Sequence, residues 1–307
     1  MNGVVIKSTG SWYEVRTEDE QLISCRIPGK FRMKGIKSTN PVAVGDFVDF
    51  EMEPQKETGV ITSIHDRKNF IVRKSVNLSK RTHVIASNID RAFLVVTMDN
   101  PVTTTSFIDR FLASARAYRI PVVLVFNKID TLTEETEKQL EEYLHVYANV
   151  GYNCLLVSAK TGEGVEQLED LMKDKTTMFS GHSGVGKSTL INALEPNLNI
   201  KTAAISQMHK QGQHTTTFAE MHALHFGGYI IDTPGIRGFG VVDFEPHEVG
   251  DYFPEIFDLK TGCKFNNCLH IEEPKCAVKE AVEAGEIAHS RYRSYVQMVQ
   301  GDQDTYR

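Results

Sequence analysis

The sequence predicts a multidomain protein, in which an all-β barrel is followed by a central α/β domain and a small helical domain with a metal-ligand cluster. Three observations support this prediction. The first 70 or so residues alternate apolar and polar types, continuous apolar runs begin after Asp90, and three cysteines fall within 14 residues near the C-terminus. We expect the barrel in residues 1–72, a linker in 73–89, the α/β domain in 90–244 and the C-terminal domain in 245–307.

Length and composition are those of a globular protein. The chain has 307 residues, of which 41% are hydrophobic and 24% charged, and no apolar run approaches the roughly 20 residues of a membrane helix. The start lacks the basic and then apolar pattern of a secretory signal. We therefore expect a cytoplasmic protein with no membrane association, and no disulfide framework among its five cysteines.

Charge is unevenly distributed along the chain. The net charge is −6, but residues 1–84 carry +4 and the remainder −10. The basic excess is compatible with a solvated surface or with contact to a polyanion such as RNA.

The N-terminal residues form short alternating runs separated by Gly and Pro turns, which predicts about five strands. These runs are "GVVIKS", "WYEVRT", "QLISCRI", "DFVDFEM" and "GVITSIH". An oligonucleotide/oligosaccharide-binding (OB) barrel fits this count, and so does an SH3-like barrel. The basic segment "GKFRMKGIKSTN" between two runs is a candidate RNA-contacting loop or a plain surface loop.

The central residues alternate apolar strands with helical segments, as in a parallel sheet covered on both faces. The strands are "RAFLVVTM", "PVVLVFNKID", "NCLLVSAK" and "TTMFSG". The later stretch "EMHALHFGGYIIDTPG" predicts a hairpin around Gly227 and Gly228 that places Asp232 at a strand end. A helix is expected over "AVKEAVEAGEIAHSRYRSYVQMVQ".

The segment "GHSGVGKS", from Gly181 to Ser188, matches the phosphate-loop pattern G-x-x-x-x-G-K-[ST] between a strand and a helix. Glycines let backbone N–H groups surround phosphate oxygens, Lys187 reaches the β- and γ-phosphates, and Ser188 ligates Mg²⁺. The candidate phosphate-binding residues are Gly181, His182, Ser183, Gly184, Val185, Gly186, Lys187, Ser188 and Thr189.

Two further motifs favour guanine over adenine. "NKID" supplies Asn127, Lys128 and Asp130 after an apolar strand, and the Asp130 carboxylate accepts the hydrogen bonds that guanine N1–H and its amine offer. "SAK" follows the next strand, and its candidate base-binding residues are Ser158, Ala159 and Lys160. The ligand is therefore predicted to be GTP or GDP.

"DTPG", after the last apolar run of the central domain, completes the predicted nucleotide site. Asp232 is suited to holding a Mg²⁺-bound water, and the Gly235 N–H to meeting the γ-phosphate.

Near the C-terminus, a cluster offers three thiolates and one imidazole, which is a full tetrahedral set for one structural Zn²⁺. The ligands are Cys263, Cys268, His270 and Cys276. Basic residues nearby are candidates for rRNA contact or for a solvated surface: Lys264, Lys275, Arg291 and Arg293.

Taken together, these motifs resemble the circularly permuted GTPases, and among them the ribosome small-subunit-dependent GTPase family called RsgA or YjeQ. The likeness rests on the order "NKID", "SAK", "GHSGVGKST", "GQHTTT", "DTPG" and "CKFNNCLHIEEPKC". It implies an OB barrel, a permuted P-loop GTPase domain, a zinc-binding domain, and a role in late assembly of the small ribosomal subunit with its rRNA. We expect a monomer.

Ordinary GTPases place a water-orienting Gln after the D-x-x-G motif, whereas this chain has Ile236 there. By resemblance, His214 positions the water and Thr216 senses Mg²⁺ and the γ-phosphate; a loop histidine facing RNA or solvent is the alternative for His214. Two other functions stay open at this point. One is an RNA-binding scaffold with GTP as a structural ligand, and the other is a GTPase that acts on a different RNA or a metabolic target.

Overall fold

The computed structural model describes residues 1–28, 41–74, 82–198, 219–232 and 244–301. The predicted basic loop, with Lys30, Arg32, Lys34 and Lys37, lies outside these ranges, and so do His214, Thr216 and Gly235. Among the helices that the structure describes, none is long and apolar enough to cross a membrane.

Five strands form the N-terminal barrel: β1 (Asn2–Ser8), β2 (Tyr13–Thr17), β3 (Leu22–Arg26), β4 (Phe47–Met52) and β5 (Thr58–Ile64). The barrel closes because β1 pairs with both β2 and β4, and β3 runs parallel to β5. The order β1-β2-β3-β5-β4-β1 is that of an OB barrel. Of the two barrels compatible with the sequence, the OB type is therefore confirmed.

The barrel core is built from the alternating apolar residues of these strands. Val5, Tyr13, Val15 and Ile61 are fully buried in it, since inward-facing positions recur every second residue. A two-stranded antiparallel sheet follows, made of β6 (Phe70–Lys74) and β7 (Thr82–Ser87). The segment that we interpreted as a linker thus contains β7, and the domain boundaries stay predictions.

Within the described ranges, the central domain has six strands: β8 (Arg91–Val96), β9 (Val122–Phe126), β10 (Asn153–Leu156), β11 (Thr176–Ser180), β12 (Glu220–Ala223) and β13 (Tyr229–Asp232). They lie in the order β10-β9-β8-β11-β13-β12. The first five are parallel, and β12 is the antiparallel hairpin partner of β13. The predicted parallel sheet and the hairpin are both confirmed.

The described part of this domain contains four α-helices: α1 (Thr105–Ala117), α2 (Glu134–Asn149), α3 (Val165–Met172) and α4 (Lys187–Leu194). Residues on both faces of the central strands are buried: Phe93, Leu94 and Val95 of β8 are all 0% exposed. Continuous apolar runs are required for such burial. Because its five parallel strands run in the same direction, their carboxyl ends lie at one edge of the sheet.

The barrel and the central sheet meet through one antiparallel pair, Lys7 of β1 opposite Glu220 of β12. The Lys7 ammonium also lies 3.3 Å from the Glu220 carboxylate. Val4 and Ile6 of β1 pack on the central core beside this pair. The strands of both domains thus form one continuous sheet.

The C-terminal domain contains α5 (Pro254–Leu259), α6 (Ala277–Glu283) and α7 (His289–Gln300). The single helix expected over Ala277–Gln300 is wrong: Gly285 adopts φ +78° and ends the first helix, as glycine does at helix C-termini. Arg291, expected to contact rRNA or to lie at a solvated surface, is 1% exposed. Its guanidinium contacts Asp109 of α1 at 2.7 Å and Glu255 of α5 at 2.7 Å, so it joins two domains.

Candidate functional site

The phosphate-loop segment connects β11 to α4 at the carboxyl edge of the sheet. Gly181 has φ +139°, and a Cβ there would lie 2.5 Å from the Val95 carbonyl oxygen. Gly186 has φ +96°, and its Cβ would lie 2.3 Å from Asn127 Nδ2. Both positions therefore require glycine for conformation and for space.

Lys187 begins α4, and its side chain turns back over the loop. Its Nζ donates hydrogen bonds to the carbonyls of Gly181 at 2.8 Å and His182 at 2.6 Å. Ser188 and Thr189 follow in the first turn of the helix, where backbone N–H groups point outward. A cation, a helix N-terminus and a glycine-rich backbone thus converge here, which fits the phosphates of a nucleotide.

Asn127 joins three motifs at one point. Its side chain lies at the end of β9 and is 4% exposed. Nδ2 donates to the Val185 carbonyl at 2.8 Å, and Oδ1 accepts from the Ala159 N–H at 3.1 Å. The predicted base-binding and phosphate-binding segments therefore lie in contact, although 54 positions separate Asn127 from Gly181.

The Asp130 carboxylate is held by the "SAK" segment. Its Oδ1 accepts a hydrogen bond from Ser158 Oγ at 2.7 Å, and Oδ2 lies 3.8 Å from Lys160 Nζ. Lys128 has φ +67°, and its Nζ donates to the Asn100 carbonyl at 2.6 Å. These contacts orient a carboxylate acceptor and an alkyl stem at the edge where open α/β sheets bind ligands.

Asp232 ends β13, which lies next to β11 in the sheet. Its backbone is therefore at the same edge as the phosphate loop. The Asp232 side chain, Thr216, His214 and Gly235 lie outside the part of the chain that the structure describes.

Two contacts of the site escaped the sequence analysis: the Asn100 carbonyl beneath Lys128, and Phe107, whose ring lies 3.9 Å from the His182 ring between centroids. The sequence did contain a signal for the contact between Lys128 and Asn100. Asn100 and Pro101 form a turn dipeptide a few residues after β8, and β8 ends at the same edge as β9 and β11. Phe107 gave no local signal, since aromatic residues in a helix are ordinarily core residues.

The predicted metal ligands converge in the C-terminal domain. One donor atom from each of Cys263, Cys268, His270 and Cys276 lies within 4.8 Å of the other three. His270 Nδ1 is 3.4 Å from Cys263 Sγ and 3.3 Å from Cys276 Sγ, and these two sulfurs are 3.7 Å apart. A tetrahedral zinc site with bonds of about 2.0–2.3 Å places its donors about 3.5–3.8 Å apart. The donor set and its spacing fit one structural Zn²⁺ without an open position.

The loop that carries His270 is held by hydrogen bonds from outside the cluster. Tyr292 donates to the His270 carbonyl at 2.6 Å, and Tyr295 donates to the Leu269 carbonyl at 2.8 Å. Glu273 accepts from the backbone N–H groups of Leu269 and Ile271 at 2.7 and 3.0 Å. Burial alone would raise the Glu273 pKa, but these backbone donors outweigh it and lower the pKa to about 2.

Two family models match the chain. The model described as RsgA N-terminal domain matches residues 2–61, and the model described as RsgA GTPase matches residues 64–242. The second covers more than half of the chain.

Curated relatives match over almost their entire length. A protein of Flavobacterium johnsoniae named small ribosomal subunit biogenesis GTPase RsgA is 60% identical over 309 residues, covering 100% of this chain and 95% of the relative. A protein of the same name from Bacteroides fragilis is 55% identical over 304 residues, covering 99% and 98%.

Solved structures extend the likeness to the fold. YjeQ from Thermotoga maritima superposes with a TM-score of 0.79 at 37% identity, covering 98% of this chain and 97% of that one. YloQ, described as a circularly permuted GTPase, gives 0.76 at 33% identity, covering 100% and 96%. Motif order, sheet order and full-length similarity agree, and this chain belongs to the RsgA GTPase family.

Proposed function

We propose that this protein hydrolyses GTP to GDP and phosphate, with Mg²⁺, as a late assembly factor of the small ribosomal subunit. The observation that carries the proposal is the position of Asn127. One buried amide bonds to the phosphate loop at Val185 and to the base segment at Ala159. A single ligand with both a guanine base and phosphates is what such a joined site accommodates.

Each part of the nucleotide has a candidate group. Residues Gly181–Thr189 surround the phosphates, and the Lys187 ammonium contacts the β- and γ-phosphates. The Asp130 carboxylate accepts hydrogen bonds from the guanine N1–H and amine. The Lys128 stem packs over the ring. The Ala159 N–H, which donates to Asn127 Oδ1 at 3.1 Å in the structure, exchanges that acceptor for the guanine oxygen when the nucleotide binds. Ser188, Thr216 and Asp232 are the proposed ligands of Mg²⁺, which when bound neutralises charge on the phosphates.

Water activation is assigned to the segment before β12. Ile236 has no polar atom on its side chain to orient a water, so the proposal gives this role to His214, next to Thr216. Turnover is expected to be slow for the isolated protein and faster with a partner that places His214 against the attacking water.

The names of the relatives indicate the partner that we propose. They are called small ribosomal subunit biogenesis GTPases, and we extend this to the present chain, with the OB barrel and the zinc domain contacting rRNA. Hydrolysis is stimulated by the subunit and coupled to release. The protein acts as a monomer in the cytoplasm, where these subunits assemble.

The motif order offers a route for that coupling. The chain leaves the nucleotide edge at Asp232 and reaches the C-terminal domain within about a dozen residues, at Phe244. We propose that loss of the γ-phosphate shifts this segment and thereby the zinc domain. Identical interdomain distances in the GTP-analogue and GDP states, measured between spin labels on the two domains, would refute this coupling.

Phosphate release from GTP, measured with and without purified small subunits, tests the function. Large subunits and a Lys187→Ala variant serve as controls. A many-fold increase only with small subunits is expected. Equal turnover with and without them would leave a GTPase with a different partner, and full cellular function of Lys187→Ala would favour a scaffold that uses GTP as a structural ligand.

A further inference from the structure

The ring of His182, in the phosphate loop, lies against Phe107 of α1. Their centroids are 3.9 Å apart and their planes meet at 31°, which is tighter than the 4.5–7 Å that is usual for aromatic pairs. His182 occupies the first variable position of the loop, directly after Gly181. A residue outside the nucleotide motifs thus contacts the loop from its flank.

Phe107 is itself held in place. It lies in the first turn of α1, and its backbone N–H donates to the N-cap side chain of Thr104 at 3.3 Å. Two residues later, Asp109 is fully buried and bonded to Tyr147 at 2.9 Å and to Arg291 at 2.7 Å. The Phe107 ring therefore belongs to a helix, α1, that buried polar contacts hold in position.

The contact bears on the lysine that reaches the phosphates. Lys187 Nζ donates to the His182 carbonyl at 2.6 Å, so the orientation of that peptide group determines one of the two bonds by which the loop holds the ammonium. Packing of the His182 ring restricts its side chain and, through the shared Cα, the peptide plane. A loop with three glycines at positive φ has more backbone freedom to lose on binding than other loops.

We propose that Phe107 is a positioning residue for nucleotide binding, which holds the phosphate loop through His182 in a conformation ready for a nucleoside diphosphate or triphosphate. The inference rests on the proposed function, since it concerns the same nucleotide. Phe107 acts through His182 and Lys187 and does not itself touch the ligand.

Binding of GMP, GDP and GTP to the full-length chain tests this, with a fluorescent GDP analogue as the displaced probe. Phe107→Ala should weaken GDP and GTP binding about 3- to 10-fold, the range of an aromatic pair. GMP should be affected less, because it lacks the phosphates that Lys187 contacts. Phe107→Tyr keeps a ring and should restore the affinity. Val102→Ala, which shortens a 55% exposed side chain in the preceding loop, should bind all three as the wild type does.

A double variant separates positioning from a general structural role. Phe107→Ala combined with His182→Ala should be no weaker than His182→Ala alone, because the two changes remove one contact. Additive losses, an equal loss for all three nucleotides, or affinity unchanged by Phe107→Ala would overturn the inference. Failure of the wild type to bind any guanine nucleotide would instead refute the proposed function. The wild-type titrations show this independently of the variants.

Discussion

Replacing Arg291 with Met should detach the C-terminal domain from the GTPase domain. The guanidinium is 1% exposed and makes three short contacts, at 2.7 Å to Asp109 and at 2.7 and 3.1 Å to Glu255. Its carbon also lies 4.6 Å from the centroid of the Phe253 ring. Met approximates the volume of the side chain but leaves both carboxylates without their cation.

The magnitude follows from the burial of the two partners. Removing one member of a buried ion pair costs about 3–5 kcal/mol, because the other charge stays desolvated. Asp109 is 0% exposed, whereas the Glu255 side chain is 12% exposed and retains some solvent. Most of the cost therefore comes from Asp109. A change of about 3–5 kcal/mol shifts the equilibrium between docked and undocked domains by about 10²- to 10³·⁵-fold.

The variant should also acquire a pH dependence. Burial raises the pKa of Asp109, and Arg291 opposes this rise in the wild type. Without Arg291 the folded-state pKa rises further. The neutral Asp109 carboxyl then contributes fully to the free energy of unfolding at low pH. This contribution is lost as the pH rises through the folded-state pKa of Asp109. The deficit of Arg291→Met relative to the wild type should therefore grow as the pH rises above the ordinary carboxyl pKa of about 4.

Urea unfolding and limited proteolysis at several pH values measure these effects. Arg293→Met serves as the control, since that exposed residue lies on the same helix. The combination of Arg291→Met with Asp109→Asn should recover part of the loss, because it removes the buried negative charge. A stability change of Arg291→Met below about 1 kcal/mol, or a deficit independent of pH, would refute the reasoning.

Three further outcomes are expected. Asn127→Ala removes the partner of the buried Val185 carbonyl and of the half-buried Ala159 N–H, at about 1–3 kcal/mol for the buried group, and the two segments lose the bond that aligns them for the ligand, so GDP affinity measured by calorimetry should fall at least about 5-fold; unchanged affinity would contradict the joined site. The Arg26 guanidinium, hydrogen-bonded to Glu53, lowers the pKa of Glu53 to about 2, so this charge stabilises the barrel above the unfolded-state pKa and the effect is lost as the pH falls through about 2. The Tm deficit of Glu53→Gln should accordingly disappear on acidification, and a deficit that persists at the lowest pH would argue against it. Cys268→Ser should lower the zinc content from one equivalent and unfold the C-terminal domain, while Cys154→Ser, outside the cluster, should retain the metal; loss of zinc from both variants would count against the assigned ligands.

The sequence predicted the parts of the site that are encoded locally. "GHSGVGKS" and "NKID" each place their functional residues within a few positions, and strand ends bring the two segments to one edge. The convergence of Cys263, Cys268, His270 and Cys276 was predictable for the same reason, since four ligand-type residues seldom occur within 14 positions. The five barrel strands followed from alternation, but only their pairing separated an OB barrel from an SH3-like one.

Contacts between distant positions were not predictable in this way. Arg291 was expected to contact rRNA or to lie at a solvated surface, as arginines are mostly exposed, whereas its buried partner Asp109 is 182 positions away. The contact between Phe107 and His182 likewise depends on the packing of α1 beside β11. Pairing of two such groups follows from tertiary structure, and no pattern in either segment indicates it.

The joint between β1 and β12 also covers a strand that would otherwise lie at the border of the central sheet. Without the barrel, β12 would present its outer backbone N–H and C=O groups to solvent at the end of the central sheet, and such a bare edge pairs readily with a strand of another chain. The pairing of Lys7 with Glu220 and the apolar cover from Val4 and Ile6 close that edge from within the same polypeptide. The barrel thus covers β12 within the same chain. A chain lacking residues 1–64 should therefore form dimers or larger aggregates in light scattering, whereas the whole chain should not.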